Sequence, residues 1–127
     1  MSESVRYTLK KSEILSNTKS IELLFKNNSI LKSFPLMLLY YNKKSDLNQH
    51  KILFSVSKKK FKKATDRNKI KRLLRENYRL LKSEILKPLP NGENFMALIY
   101  VGNDLPSFKD IQKSTLSIIQ KLNEKNH

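Results

Sequence analysis

The sequence predicts an α+β fold, a two-layer sandwich in which one central sheet is packed by helices. Three segments carry apolar residues at helical spacing, and the apolar or alternating runs between them are typical of strands. The order is helix, strands, helix, strand, helix. With 127 residues and no internal repeat or long linker, we expect a single domain over residues 1–127, with residues 1–15 as a loosely ordered basic arm.

The first predicted helix is short. Ile21, Leu24 and Phe25 fall at positions i, i+3 and i+4, which places them on one helical face. Asn17 or Thr18 precedes this face and can cap the helix, because short polar side chains accept hydrogen bonds from its free N–H groups.

Strands are predicted next. Phe34 to Tyr41 is a continuous apolar run, and Pro35 is tolerated near the start of a strand. Residues 42–49 are polar and indicate a hairpin loop. In the run 51–57, bulky side chains alternate with mixed, partly polar ones, so one face of this strand is available for packing.

The following helix is the best-defined element. It begins near Asp66 and ends before Pro88. Its apolar stripe consists of Ile70, Leu73, Leu74, Leu81 and Ile85. Cations recur at three- and four-residue spacing on another face, at Arg67, Lys71, Arg75, Arg79 and Lys82.

The last two elements are a strand and a helix. Residues 95–101 are apolar and predict a buried strand, which Gly102 closes. Ser107 with Asp110 resembles a capping box, so a helix begins there. Its predicted inner face consists of Phe108, Ile111, Ile118, Ile119 and Leu122.

The charge balance indicates the class of partner. The chain has 26 Lys and Arg against 11 Asp and Glu, a net charge of +15. Eleven of these cations lie between Lys58 and Arg79, with only Asp66 and Glu76 as acids. Such a segment repels itself unless it faces a polyanion, so nucleic acid is the first expected partner and an anionic membrane surface the second. No apolar run approaches the ~20 residues of a spanning helix, and no signal peptide is recognised, so a cytoplasmic protein is expected.

RNA is favoured over DNA. A helix-turn-helix reader of DNA needs a short helix and a tight turn before the recognition helix, whereas here a strand and a lysine-rich loop precede it. A sheet beside a basic helix, with aromatic residues nearby, is typical of single-strand RNA binding. Most of the aromatic side chains must nevertheless belong to the core.

A hydrolytic site carried by the protein is poorly supported. No two of the eleven carboxylates fall within one helical turn, so no local pair can hold Mg²⁺ or divide acid and base roles. His50, expected in a loop, and His127 at the terminus have no partner at ligand spacing and are expected to be solvated. We therefore expect no catalytic residue, no metal site and no cofactor bound by protein side chains.

The segment 55–80 carries a family resemblance. It contains SVSKK, a seven-residue spacer, RNKIKRLLRE and then Tyr78. This block resembles the Arg-Asn-Arg signature region of the bacterial ribonuclease P protein component, and the similarity extends from about Lys10 to Leu122. The resemblance implies an α-β-β-β-α-β-α order with a left-handed β-α-β crossover, a hand that is rare among parallel crossovers.

The same resemblance implies two RNA surfaces. The segment that grips the catalytic RNA corresponds to Arg67, Asn68, Lys69, Lys71, Arg72 and Arg75. The cleft for the single-stranded 5′ leader of precursor tRNA corresponds to Ile21, Phe25, Leu39, Ser55, Ser57 and Lys59. The chain departs from the family pattern in having Lys69 for the second arginine, aliphatic Ile21 and Leu39 in the cleft, and Tyr100 and Val101 where the last strand usually ends in basic residues.

By resemblance, the function is that of the protein subunit of ribonuclease P, a ribonucleoprotein endonuclease that forms the mature 5′ end of tRNA. Its partners would be the catalytic RNA and precursor tRNA, with no membrane or DNA partner. Mg²⁺ would be required by the RNA subunit, and the protein alone would be non-catalytic. The alternatives left open by the residues are a ribosomal or RNA-chaperone-type binding protein and, less favoured, a DNA-binding regulator.

Overall fold

A computed structural model describes residues 11–125 of the chain. A 3₁₀ turn at Lys11–Glu13 precedes the regular elements. These are α1 (Thr18–Lys26), β1 (Ser29–Ser33), β2 (Leu36–Lys43), β3 (Gln49–Val56), α2 (Ala64–Leu86), β4 (Glu93–Tyr100) and α3 (Phe108–Lys125). The expected α-β-β-β-α-β-α order is confirmed.

The four strands form one sheet in the order β1-β2-β4-β3. β1 pairs with β2 and β2 with β4 in antiparallel fashion, whereas β3 and β4 are adjacent and parallel. The unit β3-α2-β4 is therefore the crossover between parallel neighbours. Its left hand stays a prediction from the family resemblance.

The strand order corrects one prediction. Residues 42–49 do not form a hairpin loop, because β2 and β3 lie on opposite sides of β4 and do not pair with each other. The polar run instead connects two strands separated by a third. The residue pattern also left β1 unplaced, since its five residues are too short and too mixed in polarity to show a period.

Helices cover the two faces of the sheet unequally. α2 and α3 pack on one face, where residues such as Ile52, Leu98 and Leu74 form the larger core. α1 packs on the other face over β2 and β4, where Leu24 and Leu39 belong to a smaller cluster. β4 is the most buried strand because it has a strand on each side and helices above and below it. The α+β fold with a helix-packed central sheet is thus confirmed.

The caps predicted from sequence are present. The Oδ1 atom of Asn17 accepts a hydrogen bond from the Ser20 N–H at 3.1 Å, so Asn17 is the cap of α1. At α3, the Asp110 N–H donates to Ser107 Oγ at 3.1 Å and the Ser107 N–H donates to Asp110 Oδ2 at 3.2 Å. These reciprocal bonds are those of a capping box.

The extent of the basic arm needs correction. Ile14 forms a parallel bridge to Ile52, and the Leu15 N–H donates to the Ile52 carbonyl at 2.9 Å. Leu15 is only 3% exposed, so the end of the proposed arm is fixed against the open edge of β3. Residues 1–10 lie outside the described residues.

His50 was predicted to be a solvated loop residue, and this is wrong. It lies in β3, half-buried, with its Nδ1 atom 3.3 Å from Nδ2 of the buried Asn94. Asn94 Nδ2 also donates to the Pro90 carbonyl at 2.9 Å, and its Oδ1 accepts from Asn42 Nδ2 at 3.0 Å. His50 Nδ1 must therefore be an acceptor, which requires the neutral ring. His127, the other histidine, lies outside the described residues.

We expect stability to fall in mild acid because of His50. Desolvation, and then the charge of Lys82, lower its pKa below the usual 6.5, an effect that Glu13 opposes. Between the two pKa values the unfolded chain binds more protons than the native protein. The contribution of neutral His50 to the free energy of unfolding is therefore complete above about pH 6.5, and it is lost as the pH falls through the pKa of His50 in the folded protein. Urea unfolding from pH 8 to pH 5 measures it, and an equally steep decline in His50→Gln would contradict the assignment.

Candidate nucleic-acid interface

The outer face of α2 presents a line of donors to solvent. Asn68, Lys69, Arg72 and Arg75 are exposed and, with Thr65, line one shallow groove. They share a face because three- and four-residue steps return to the same side of a helix. Four of the six residues predicted to grip the catalytic RNA are therefore together on one surface.

The buried side of α2 explains this orientation. Ile70, Leu74 and Tyr78 are fully buried against the sheet, so the side chains on the opposite side of the helix must face outward. Within residues 11–125, Arg72 and Arg75 form no ion pair, whereas Arg79 pairs with Glu76 at 3.1 Å. The two unpaired arginines can donate hydrogen bonds from their planar forks to phosphate oxygens.

The other two predicted residues behave differently. Lys71 is half-buried at the border between the outer and inner faces of α2. Arg67 is also half-buried, and its Nη1 atom donates to the Phe61 carbonyl at 2.8 Å and to the Lys62 carbonyl at 2.9 Å. Arg67 is therefore bound to the preceding loop.

We call residues 58–63 the lysine loop. Its side chains at Lys58, Lys59, Lys62 and Lys63 are exposed. α2 starts directly after Lys63, whose side chain forms no capping hydrogen bond. The positive end of the helix dipole therefore lies beside the cations of the lysine loop, with Asp66 as the acid of the first turn, and a further anion would stabilise it.

The predicted leader cleft lies on the sheet face that carries α1. Leu39 is buried beneath α1, and Ile21 is half-buried in the same cluster. Phe25 is 49% exposed. Exposure of half the ring excludes a purely core role for Phe25 and leaves its surface available to a ligand. Leu39, by contrast, is a floor residue with only 4% of its surface exposed.

Strand register extends this cleft across the sheet. Ser55 pairs with Ile99, Ile99 with Met37, and Met37 with Lys32, so these four side chains form one row on the α1 face. Lys32 is exposed and the other three are half-exposed. Lys32, Met37 and Ile99 were not predicted as site residues, because only the pairing of strands distant in sequence places them beside Ser55.

The row ends at the lysine loop. Ser57 follows β3, and its Oγ atom accepts a hydrogen bond from the Lys60 N–H at 3.3 Å. Lys59, the last predicted cleft residue, is exposed two positions later. The short segment 57–63 therefore connects β3, which carries Ser55, to α2, and its lysine side chains are exposed.

The end of β4 shows how the chain accommodates Tyr100 and Val101. Tyr100 is buried, and its ring centroid lies 5.9 Å from that of Phe61. The Val101 carbonyl accepts a hydrogen bond from Lys60 Nζ at 2.8 Å. A cation is thus present at the end of the last strand, although it comes from the lysine loop.

A second groove has the opposite charge. It lies between the turn after β1 and the start of α3, and it contains the exposed Phe34 together with Asp104 and Asp110. Burial first, and then these two carboxylates, raise the pKa of Tyr100. Within residues 11–125, no three His, Cys, Asp or Glu side chains come together in a group that could hold a metal ion.

Comparisons with known proteins show the family of this chain. The family model described as "Ribonuclease P" matches residues 9–123. This chain belongs to the ribonuclease P protein component family. The protein components of Porphyromonas gingivalis and Chlorobium phaeobacteroides are each 30% identical to it, over 117 and 128 residues. The matches cover 90% and 91% of this chain, and 85% and 88% of the relatives.

Solved structures of ribonuclease P proteins share the fold. The Staphylococcus aureus protein has a TM-score of 0.70 at 23% identity, covering 87% of this chain and 95% of its own. The Thermotoga maritima protein has a TM-score of 0.68 at 24% identity, covering 86% and 96%. Membership of this family assigns the chain to ribonuclease P and its role to tRNA processing. None of the helices described is long and apolar enough to cross a bilayer.

Arg72 should act as a phosphate contact. We expect Arg72→Ala to weaken binding of the ribonuclease P RNA and to reduce the steepness of log K against log salt concentration by about 0.9, the value for one lost contact. The measurement is a salt titration of the binding constant. Lys125→Ala, which removes one exposed charge from α3, is the matched control and should leave the slope unchanged. Equal slopes for wild type and Arg72→Ala would contradict the contact.

Proposed function

We propose that this protein binds the catalytic RNA of ribonuclease P and the 5′ leader of precursor tRNA, and so assists RNA-catalysed removal of the leader. The observation that carries the proposal is the junction of two surfaces. The outer face of α2 supplies exposed arginines, the α1 side of the sheet supplies a half-apolar row with Phe25, and the lysine loop joins them.

Each surface suits a different part of the RNA. The face of α2 offers guanidinium and ammonium groups, which suit the phosphate backbone of a folded RNA. The cleft offers Phe25, Met37 and Ile99 with Lys32 and Lys59 at its two ends. Unpaired bases can stack there while their phosphates meet the lysines, an arrangement typical of single-strand binding.

The proposed role of the protein is electrostatic and positional. Bringing a leader beside a catalytic RNA places two polyanions together, and a net charge of +15 reduces their repulsion. Holding the leader also fixes the scissile phosphate relative to the RNA. Mg²⁺ would be bound by the RNA subunit, where it would assist hydrolysis of the phosphodiester. No protein side chain is assigned a proton-transfer step.

Reconstitution tests this function. Purified protein, free of RNA, is expected to leave precursor tRNA intact. The same protein added to the catalytic RNA at low Mg²⁺ should raise the rate of leader removal. Cleavage that persists in rigorously RNA-free protein would overturn the non-catalytic role, and absence of any stimulation would favour a general RNA-binding protein instead.

Phe25 should distinguish precursor from mature tRNA. Because its ring is half exposed, we expect Phe25→Ala to spare the fold and to weaken holoenzyme binding of precursor tRNA by about 1–3 kcal/mol, the contribution of one base–aromatic stack. Binding of mature tRNA, which has no leader, should be unchanged.

Phe34→Ala is the matched control for this test. Phe34 is 74% exposed and lies in the acidic groove, so its loss should affect neither RNA. Binding constants for both RNAs are measured beside the melting temperature of each variant. A loss by Phe25→Ala that is equal for the two RNAs would remove Phe25 from the leader site.

A further inference from the structure

The lysine loop is ordered despite its charge. Five of its six residues are lysines, and Phe61 is the exception. Ammonium groups this close repel one another, so an unsupported segment would spread apart. Within residues 11–125, the loop is held in one conformation by contacts of its backbone, of the Phe61 ring and of the Lys60 side chain.

Two of these contacts join the loop to the sheet. Phe61 is 6% exposed, its ring packs on Tyr100, and its N–H donates to the Ser57 carbonyl at 3.1 Å. Lys60 turns back so that its Nζ atom donates to the Val101 carbonyl at 2.8 Å. These contacts fix the middle of the loop and hold the ammonium group of one of its five lysines against the carbonyl that follows β4.

The third contact comes from α2. Nη1 of Arg67 donates one hydrogen bond to the Phe61 carbonyl and another to the Lys62 carbonyl. Adjacent carbonyls in an irregular segment require donors, and the guanidinium fork supplies both from a single nitrogen. The positive charge of Arg67 also lies against the negative ends of two carbonyl dipoles, where it contributes to the loop conformation.

We propose that Arg67 is a positioning residue that braces the lysine loop and acts on RNA through it. The inference rests on the proposed function, but it changes the role that the motif predicts for Arg67. Lys58, Lys59, Lys62 and Lys63 remain exposed and make the RNA contacts. Because the loop is already ordered, its lysines lose less conformational entropy when RNA binds.

The free protein offers a test that needs no RNA. Trypsin cleaves after lysine, so cleavage within residues 58–63 reports how often the loop opens. We expect Arg67→Ala to increase this rate about tenfold or more, since hydrogen bonds from a charged donor are worth at least a factor of ten. Arg72→Ala, the matched control on the same helix, should leave the rate unchanged. Circular dichroism confirms that each variant is folded.

A lysine variant separates charge from geometry. Arg67→Lys keeps the charge and is the milder change if Arg67→Ala fails to fold. The lysine ammonium has enough N–H donors for both carbonyls, but its side chain is one atom shorter than that of arginine, so it does not reach the position of Nη1. Cleavage of the loop in Arg67→Lys should therefore remain several-fold faster than in wild type. If trypsin cleaves the loop of either Arg67 variant no faster than the loop of the wild type, Arg67 does not brace the loop.

A binding cycle tests the action on RNA. If Arg67 acts through the loop, its loss should matter only while the loop cations are present. We expect Arg67→Ala to weaken binding of ribonuclease P RNA about tenfold in the wild-type background and less than about twofold in the Lys58→Ala/Lys59→Ala/Lys62→Ala/Lys63→Ala background. Arg72→Ala should weaken binding by the same factor in both backgrounds.

The outcomes distinguish the brace from the function. Equal factors for Arg67→Ala in the two backgrounds would show a direct RNA contact and overturn the positioning role. If the wild-type protein does not bind ribonuclease P RNA, the proposed function fails, and the trypsin experiment still decides whether Arg67 braces the loop.

Discussion

The packing of α2 against the sheet is the constraint on which the rest of the structure depends. This helix carries most of the clustered cations, which destabilise a compact state through mutual repulsion. Its inner side buries Ile70, Leu74 and Tyr78, and each fully buried large side chain contributes about 1.5–3 kcal/mol. Apolar burial on one side of α2 therefore offsets charge repulsion on the other and orients the arginines toward solvent.

The same helix fixes the relation between the two proposed RNA surfaces. α2 follows β3 after only the lysine loop, so its outer face begins where the cleft row ends. The two surfaces cannot move independently without breaking the contacts of Phe61, Lys60 and Arg67. If the proposed function holds, a junction of this kind would set one spacing between a bound leader and a bound catalytic RNA.

Local patterns predicted the helices, their caps and the exposed cations of α2, because side-chain periodicity and capping act within a few residues. They could not predict that β4 lies between β2 and β3, since that pairing joins segments about fifty residues apart. For the same reason Met37 and Ile99 were missed in the cleft. The difference between Arg67 and Arg72 is likewise absent from their spacing, because it depends on where the lysine loop folds back.

The central position of β4 has a consequence for the order of folding. Among residues 11–125, the strand that pairs with β3 in the sheet is β4, so this pairing cannot form until residues 93–100 are available. A chain that emerges from the ribosome N-terminus first therefore exposes the whole cationic segment before the sheet that supports it can close. During that interval the segment is an unsupported polycation beside ribosomal RNA. The fold is therefore completed late in synthesis. Before that point the cations can attract RNA only non-specifically, and after it they form an ordered surface.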